Sequence, residues 1–140
     1  MKALELFSGT KSFSKIIPNM ISVDINKKSN PDICCDIMDL DYKNLWKPNE
    51  FHYIHASPPC TDYSILNNSH PNKIIDIEKS NDIVKKTLEI IDYLKPVYWT
   101  MENPQSGSLK KQPFMIERDL PFFDIDYCRF GFLYRKRTRF

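Results

Sequence analysis

The stretch FHYIHASPPC (51–60) decides how the rest of the chain is read. Aromatic and β-branched residues run from Phe51 to Ala56, the composition of a buried strand. The run stops at Ser57 and meets Pro58-Pro59. Proline lacks an amide hydrogen and holds φ near −65°. Strand pairing must therefore end here, and Cys60 is aimed rigidly by the two residues before it. A structural thiol would sit inside the apolar run. A disulfide thiol would have partners at sensible spacings. A thiol that follows a strand through a stiff turn is placed for nucleophilic work, provided it is partly exposed. An inert buried cysteine is the plainer alternative.

Similar short apolar runs flank this one on both sides. KALELF (2–7) reads as a buried strand, followed by SGTKS and a helix near 12–18. MISVDIN (20–26) and DICCDI (32–37) read as the second and third strands, and 51–57 as the fourth. Residues 74–95 have helical periodicity, with Ile83, Val84, Leu88, Ile91 and Leu94 on one face and Pro96 as the stop. VYWTME (97–102) is a fifth strand, and a short helix over about 107–118 is broken or started at Pro113. FFDIDYC (122–128) and FLYRKRTRF (132–140) read as two final strands joined by RFG. Strands alternating with helices imply an α/β domain with a largely parallel sheet.

In such sheets ligands bind beyond the carboxyl ends of the strands. Ser8-Gly9-Thr10 follows the first strand, Asp24 ends the second and Asp36 the third. Pro58-Pro59-Cys60 follows the fourth, and Glu102-Asn103-Pro104 the fifth. Small groups, three acids and one thiol are thus expected along one edge.

Each group also has a plainer reading. LFSGTKS lacks the G-x-G-x-x-G fingerprint, so an ordinary turn explains it as well as a cofactor loop. Asp24 suits a ribose diol or a helix N-cap, and Asp36 an adenine amino group or a turn. Glu102, if desolvated, could donate a proton near neutral pH; otherwise it bonds a loop amide. Alternation along YRKRTRF places Arg135, Arg137 and Arg139 on one strand face, where three cations want an anion. A charge-guarded edge strand is the alternative.

Composition bounds the possibilities. The chain has 140 residues, enough for one domain, with 41% hydrophobic and 27% charged residues and a net charge of +2. That balance neither demands nor excludes nucleic acid. No carboxylate follows Asp126, so the C-terminal end is a basic patch. There is no membrane-length apolar run and no secretory pattern. Cys34, Cys35, Cys60 and Cys128 read as reduced thiols in a cytoplasmic setting. His52 and His55 lie near Cys60, but the tetrahedral pairs of structural zinc are missing, so no metal is expected.

Taken in order, ELFSGT, VDIN, CDIMDLDY, SPPCTDYS, ENPQSGSLKKQPFM and YRKRTRF resemble the DNA cytosine-5 methyltransferases, most closely the small phage and giant-virus type. The resemblance spans nearly the whole chain. The Pro-Pro-Cys and Glu-Asn-Pro pair is its specific part. It implies a Rossmann-like class I fold, a mostly parallel sheet with helices on both faces, as one catalytic domain over 1–140. It implies S-adenosyl-L-methionine as cofactor, with Phe7, Ser8, Gly9 and Thr10 as its loop. Asp24 with Ile25 would serve the ribose side, Asp36 with Ile37 the adenine, and Pro59 would lie against the cofactor. Cys60 would be the nucleophile, Glu102 would bind and protonate N3 of cytosine, and Arg137 would contact the base. Ser64, Asn103, Arg135 and Arg139 would face the nucleic acid, with Arg139 organising its loop. The partner implied is DNA with the cytosine flipped out of the duplex. A tRNA-acting branch shares these motifs, which leaves RNA as the alternative substrate.

Two features depart from the family pattern. Lys11 stands where many relatives have glycine. The chain stops at Phe140, with neither a target-recognition domain after the basic strand nor a final segment returning to the first motif. The expectations that follow are a minimal enzyme, half of a split one whose second chain supplies recognition, or a catalytic relic that binds cofactor or nucleic acid.

Overall fold

The computed structural model describes residues 2–64, 74–131, 133–134 and 136–140. The run ALEL forms β1 (Ala3–Leu6), and all four of its residues are buried. β1 is the central strand of its sheet, with a hydrogen-bonded neighbour on each edge. It pairs in parallel with β2 (Met20–Asp24), Leu6 opposite Val23, and with β4 (Tyr53–Ala56), Leu6 opposite Ala56. The short β3 (Ile33–Cys34) extends the sheet beyond β2, and β5 (Tyr98–Met101) extends it beyond β4. The order β3-β2-β1-β4-β5 is parallel throughout and reverses between β1 and β4. That reversal is where open α/β sheets place a ligand crevice.

The 18-residue α2 (Ile77–Leu94) matches the periodic segment from the sequence. Val84, Leu88, Ile91 and Leu94 are buried along it, together with Ile90 and Thr87. It starts three residues later than its pattern suggested, because Asp76 caps it. The Asp76 carboxylate accepts the Lys79 N–H at 3.0 Å, and its carbonyl accepts that of Ser80 at 3.1 Å. It ends at Lys95, whose φ of 46° closes an N–H bond of 3.0 Å to Ile91 O just before Pro96. A single-turn α1 (Tyr42–Leu45) precedes β4.

Three sequence expectations change. Residues 12–18 form turns instead of a helix. The buried Glu5 carboxylate accepts the backbone N–H groups of Phe13 and Ser14 at 3.1 and 3.0 Å, together with the Ser14 hydroxyl. Lys11 adopts a φ of 59°. These bonds capture the segment before a helix can propagate. The segment expected over 107–118 becomes a 3-10 turn (Leu109–Lys111) and then α3 (Pro113–Arg118), with Pro113 in the first turn. The two final strands are short, β7 (Asp124–Asp126) and β8 (Arg137–Arg139), and stand outside the parallel sheet. They form an antiparallel sheet with β6 (Asn103–Pro104), in the order β6-β8-β7.

The chain divides into two compact units. One comprises Met1–Pro58 and Ile83–Met101 and carries the parallel sheet. The other comprises Pro59–Asp82 and Glu102–Phe140 and carries the antiparallel sheet. Among the described residues no helix is long and apolar enough to cross a membrane.

Candidate functional site

In the first unit, the residues after β1 turn sharply. Phe7 and Gly9 both have positive φ, 59° and 46°. Two bonds tie this turn to β2: the Ser8 N–H donates to Val23 O at 3.1 Å, and the Gly9 N–H donates to Asp24 Oδ2 at 2.7 Å. The other Asp24 oxygen accepts the Asn26 N–H at 2.7 Å. Phe7, Ser8, Gly9 and Asp24 are therefore brought together, with Thr10 exposed next in the chain and Ile25 66% exposed just past Asp24. Among the described residues, nothing lies within 4 Å of where a Gly9 side chain would begin. The Ser8 hydroxyl is buried without a hydrogen-bond partner among the described residues. Asp36 is half-buried and accepts the Met38 N–H at 3.0 Å, and Ile37 beside it is buried.

His55 belongs to this unit as an internal strut. Its ring bonds the Thr100 and Ser57 hydroxyls, each at 2.9 Å, and stacks on Phe13 at 3.7 Å between centroids.

The second unit holds the thiol and the acid. All four cysteines are free, and Cys60 is half-exposed. Its carbonyl accepts the Tyr63 N–H at 3.1 Å, closing a turn directly after Pro59. A polar chain fixes that turn. The fully buried Tyr63 donates its hydroxyl to Asn81 at 2.8 Å, and the Asn81 amide donates to Gln112 at 3.0 Å. Ser80 donates to Asp62 at 2.7 Å. Ser64 is half-buried at the end of the turn.

Glu102 leads into β6, with its side chain 17% exposed. Tyr127 and Lys136 both donate to its Oε1, at 3.0 and 3.1 Å. Burial opposes the Lys136 ammonium, but the Glu102 hydrogen bond and the nearby Glu102, Tyr127 and Cys60 groups outweigh it and raise its pKa above the ordinary lysine value. Burial, followed by the Glu102 charge, pushes the Tyr127 phenol up. Asn103 is buried, and both polar atoms of its amide lack a partner among the described residues.

Of the three arginines, Arg137 is exposed on β8. Arg139 donates to both oxygens of Asp124 on the neighbouring strand, at 2.7 and 2.9 Å. The two hydrogen bonds, with the charge behind them, hold the Asp124 carboxyl below the usual carboxylate range. Arg139 thus ties β7 to β8. Arg135 lies outside the described residues.

The candidate residues therefore fall into two sets. Phe7–Thr10, Asp24, Ile25, Asp36 and Ile37 belong to the first unit. Pro59, Cys60, Ser64, Glu102, Asn103, Arg137 and Arg139 belong to the second. No local pattern marks Lys136 and Tyr127 as partners of Glu102, because strand alternation singles out the odd-numbered arginines. Glu5 was also missed, although an acid inside the apolar run ALELF is itself a signal.

No family model matches the chain. In a solved structure, a "putative DNA modification methyltransferase encoded within prophage Cp" from E. coli superposes with a TM-score of 0.70 at 16% identity. The match covers 99% of this chain and 45% of that one, and it shows the Rossmann-like methyltransferase fold. Among curated proteins, the "Probable DNA (cytosine-5)-methyltransferase" of Frog virus 3 (isolate Goorha) is 34% identical over 154 aligned positions. With 99% of this chain and 69% of that viral protein aligned, the chain belongs to the DNA (cytosine-5)-methyltransferase family.

Proposed function

We propose that this chain methylates C5 of cytosine in DNA, with S-adenosyl-L-methionine as the methyl donor, through a covalent adduct between Cys60 and C6 of the base. One observation carries the proposal. A half-exposed free thiol behind two prolines and a carboxylate that accepts from Tyr127 and Lys136 belong to the same compact unit.

The loop after β1 fits the cofactor. The buried, unpartnered Ser8 hydroxyl is a polar group awaiting a ligand. The open space at Gly9 lets a ligand reach the backbone. Each Asp24 oxygen accepts one backbone N–H and keeps a lone pair for a ribose hydroxyl. Exposed Ile25 offers apolar cover beside it, and Asp36 with Ile37 would receive the adenine. When bound, S-adenosylmethionine supplies an electrophilic methyl group to an activated C5.

The chain's own residues supply the activation. Cytosine C5 is a poor nucleophile. The Cys60 thiolate adds at C6 while Glu102 delivers a proton to N3, and electron density builds at C5. After transfer, loss of the C5 proton, departure of the Cys60 thiolate and return of the N3 proton to Glu102 restore the ring. The base must leave the duplex to reach the thiol, so flipping is part of the reading. Arg137, exposed on β8, is a contact to the base, and Asn103 and Ser64 line the nucleic-acid side.

A covalent trap tests this. Duplex DNA containing 5-fluorocytosine stalls the reaction, because fluorine at C5 cannot leave. An adduct that survives denaturation and is lost in Cys60→Ser is the expected result. Methyl transfer that persists in Cys60→Ser would sink the mechanism, and transfer to tRNA with none to DNA would reassign the substrate.

A further inference from the structure

The proposed cofactor is a linear molecule: adenine, then ribose, then an amino-acid tail that ends in a carboxylate. Three neighbouring strand ends of the first unit offer places for these parts. Asp36 and Ile37 follow β3, Asp24 ends β2, and the turn from Phe7 to Lys11 follows β1. The strands run in the order β3-β2-β1 and are parallel, so their carboxyl ends share one edge. Neighbouring strands stand about 4.8 Å apart. With the adenine at Asp36 and the ribose at Asp24, one further step along that edge brings the tail to the turn after β1.

That turn holds one charged side chain. Ser8, Gly9, Thr10 and Ser12 are neutral, and Lys11 stands among them. The backbone bends at Lys11, where φ is 59° and the N–H donates to Ser8 O at 2.6 Å. Glycine takes this left-handed conformation freely, whereas a residue with a Cβ is strained in it. A strained residue beside a ligand site points to work for its side chain. The turn is also pinned on both sides of Lys11. Ser8 and Gly9 bond Val23 and Asp24 before it, and Phe13 and Ser14 bond Glu5 after it. Asp32 is the other anion that feels this cation. The Ser22 hydroxyl and amide hold the Asp32 carboxyl below the usual carboxylate range, and the Lys11 charge adds to them more weakly. Ser22 already seats Asp32 through both of those hydrogen bonds, so the place of Asp32 in the fold does not depend on Lys11.

We propose that Lys11 recognises the carboxylate of the cofactor's amino-acid tail, and that the turn accepts backbone strain to present it. The assignment rests on the cofactor reading above. It makes binding, and not the chemical step, depend on Lys11.

Two ligands separate the tail from the rest of the molecule. S-adenosylhomocysteine has adenine, ribose and the carboxylate tail. Methylthioadenosine has adenine and ribose but no carboxylate. Binding of the first to the full chain is measured by calorimetry, and binding of the second by displacement of the first. Lys11→Met is expected to bind S-adenosylhomocysteine about tenfold more weakly and methylthioadenosine as the parent does. Lys11→Arg should keep most of the affinity. Lys11→Gly should show the same loss with a Tm no lower than that of the parent, because glycine relieves the strain. That variant keeps the test decisive if Lys11→Met folds poorly. The parent's preference for S-adenosylhomocysteine should also shrink as salt rises. An equal loss for both ligands would show that Lys11 shapes the turn or serves Asp32, and it overturns the proposal. A parent that binds neither ligand fails the cofactor reading and takes the proposal with it. A parent that binds both, with Lys11→Met and Lys11→Gly unaltered, fails the proposal alone.

Discussion

Gly107 couples the thiol segment to β6, the strand that follows Glu102, and Gly107→Ala should expose that coupling. An added Cβ would sit 3.1 Å from Pro104 O, 3.3 Å from Tyr63 O and 3.6 Å from Asn103 Oδ1. The first two distances fall below the ordinary contact range, and both atoms belong to the backbone. Neither can step back freely. Pro104 O accepts the Gly107 N–H at 3.0 Å, and Tyr63 O accepts the Ser108 N–H at 3.0 Å. Tyr63 is also anchored through its hydroxyl to Asn81, and its own N–H bonds Cys60 O. A push of a few tenths of an ångström at Tyr63 therefore reaches the Cys60 turn.

Overpacking of this kind costs about 1–3 kcal/mol. The smaller conformational freedom of alanine in the unfolded chain returns about 0.4–1 kcal/mol. The net loss is about 1–2 kcal/mol. For 140 residues at about 2.1 cal/mol/K each, that lowers Tm by about 3–7 °C. Cys60 is displaced by less than an ångström, so the proposed adduct should form about tenfold more slowly, short of the hundredfold that about 1 Å produces. Phe7–Thr10, Asp24 and Asp36, the proposed cofactor loop and its acids, belong to the other unit, so binding of S-adenosylmethionine should not change. Thermal unfolding, adduct formation on 5-fluorocytosine DNA and calorimetric cofactor binding check the three parts. A variant with unaltered Tm and adduct rate would show that the Tyr63 segment yields without resistance, and the coupling would be refuted.

Two further outcomes follow from single side chains. Arg139→Ala removes a bidentate pair whose side chains are only 23% and 16% exposed, and should cost about 1–3 kcal/mol in thermal unfolding. Because Arg139 depresses the Asp124 pKa, the pair contributes fully above the ordinary carboxylate value of about 4 and is lost as pH falls below it, so Tm of the parent should drop more steeply in acid than that of Arg139→Ala. Asp24→Asn keeps the shape but removes the charge that accepts the Gly9 N–H, and should weaken S-adenosylmethionine binding about tenfold by calorimetry. An unaltered affinity there would count against the loop after β1 as the cofactor site.

The parallel strands were legible because each is a short apolar run cut off by a residue that cannot continue it. Pro58 ends β4 and Pro96 follows α2, and both limits rest on proline's missing N–H, a local property. The turn over 12–18 was not legible, because its cause is not local. Phe13 and Ser14 give their N–H groups to Glu5, eight and nine residues earlier, and local helix propensity carries no information about that carboxylate. Asp76, by contrast, caps its helix through the residue three places on, and a closer inspection of DIEK would have found it.

The same distinction explains the second unit. Alternation correctly set Arg137 and Arg139 on one register of β8, with the buried Thr138 between them on the other. It then attached importance to the face with more charge. The acid is instead met by Lys136, which shares the register of Thr138, and by Tyr127, nine residues away across the hairpin. Arg139 is already neutralised by Asp124, opposite it at 2.7 Å. A cluster of cations in a sequence shows how much positive charge is available, while the pairing of strands decides which cation reaches which anion. In this hairpin the pairing assigns the arginine to hold two strands together and the lysine to hold the acid. The lone lysine in a run of arginines was therefore the residue to examine.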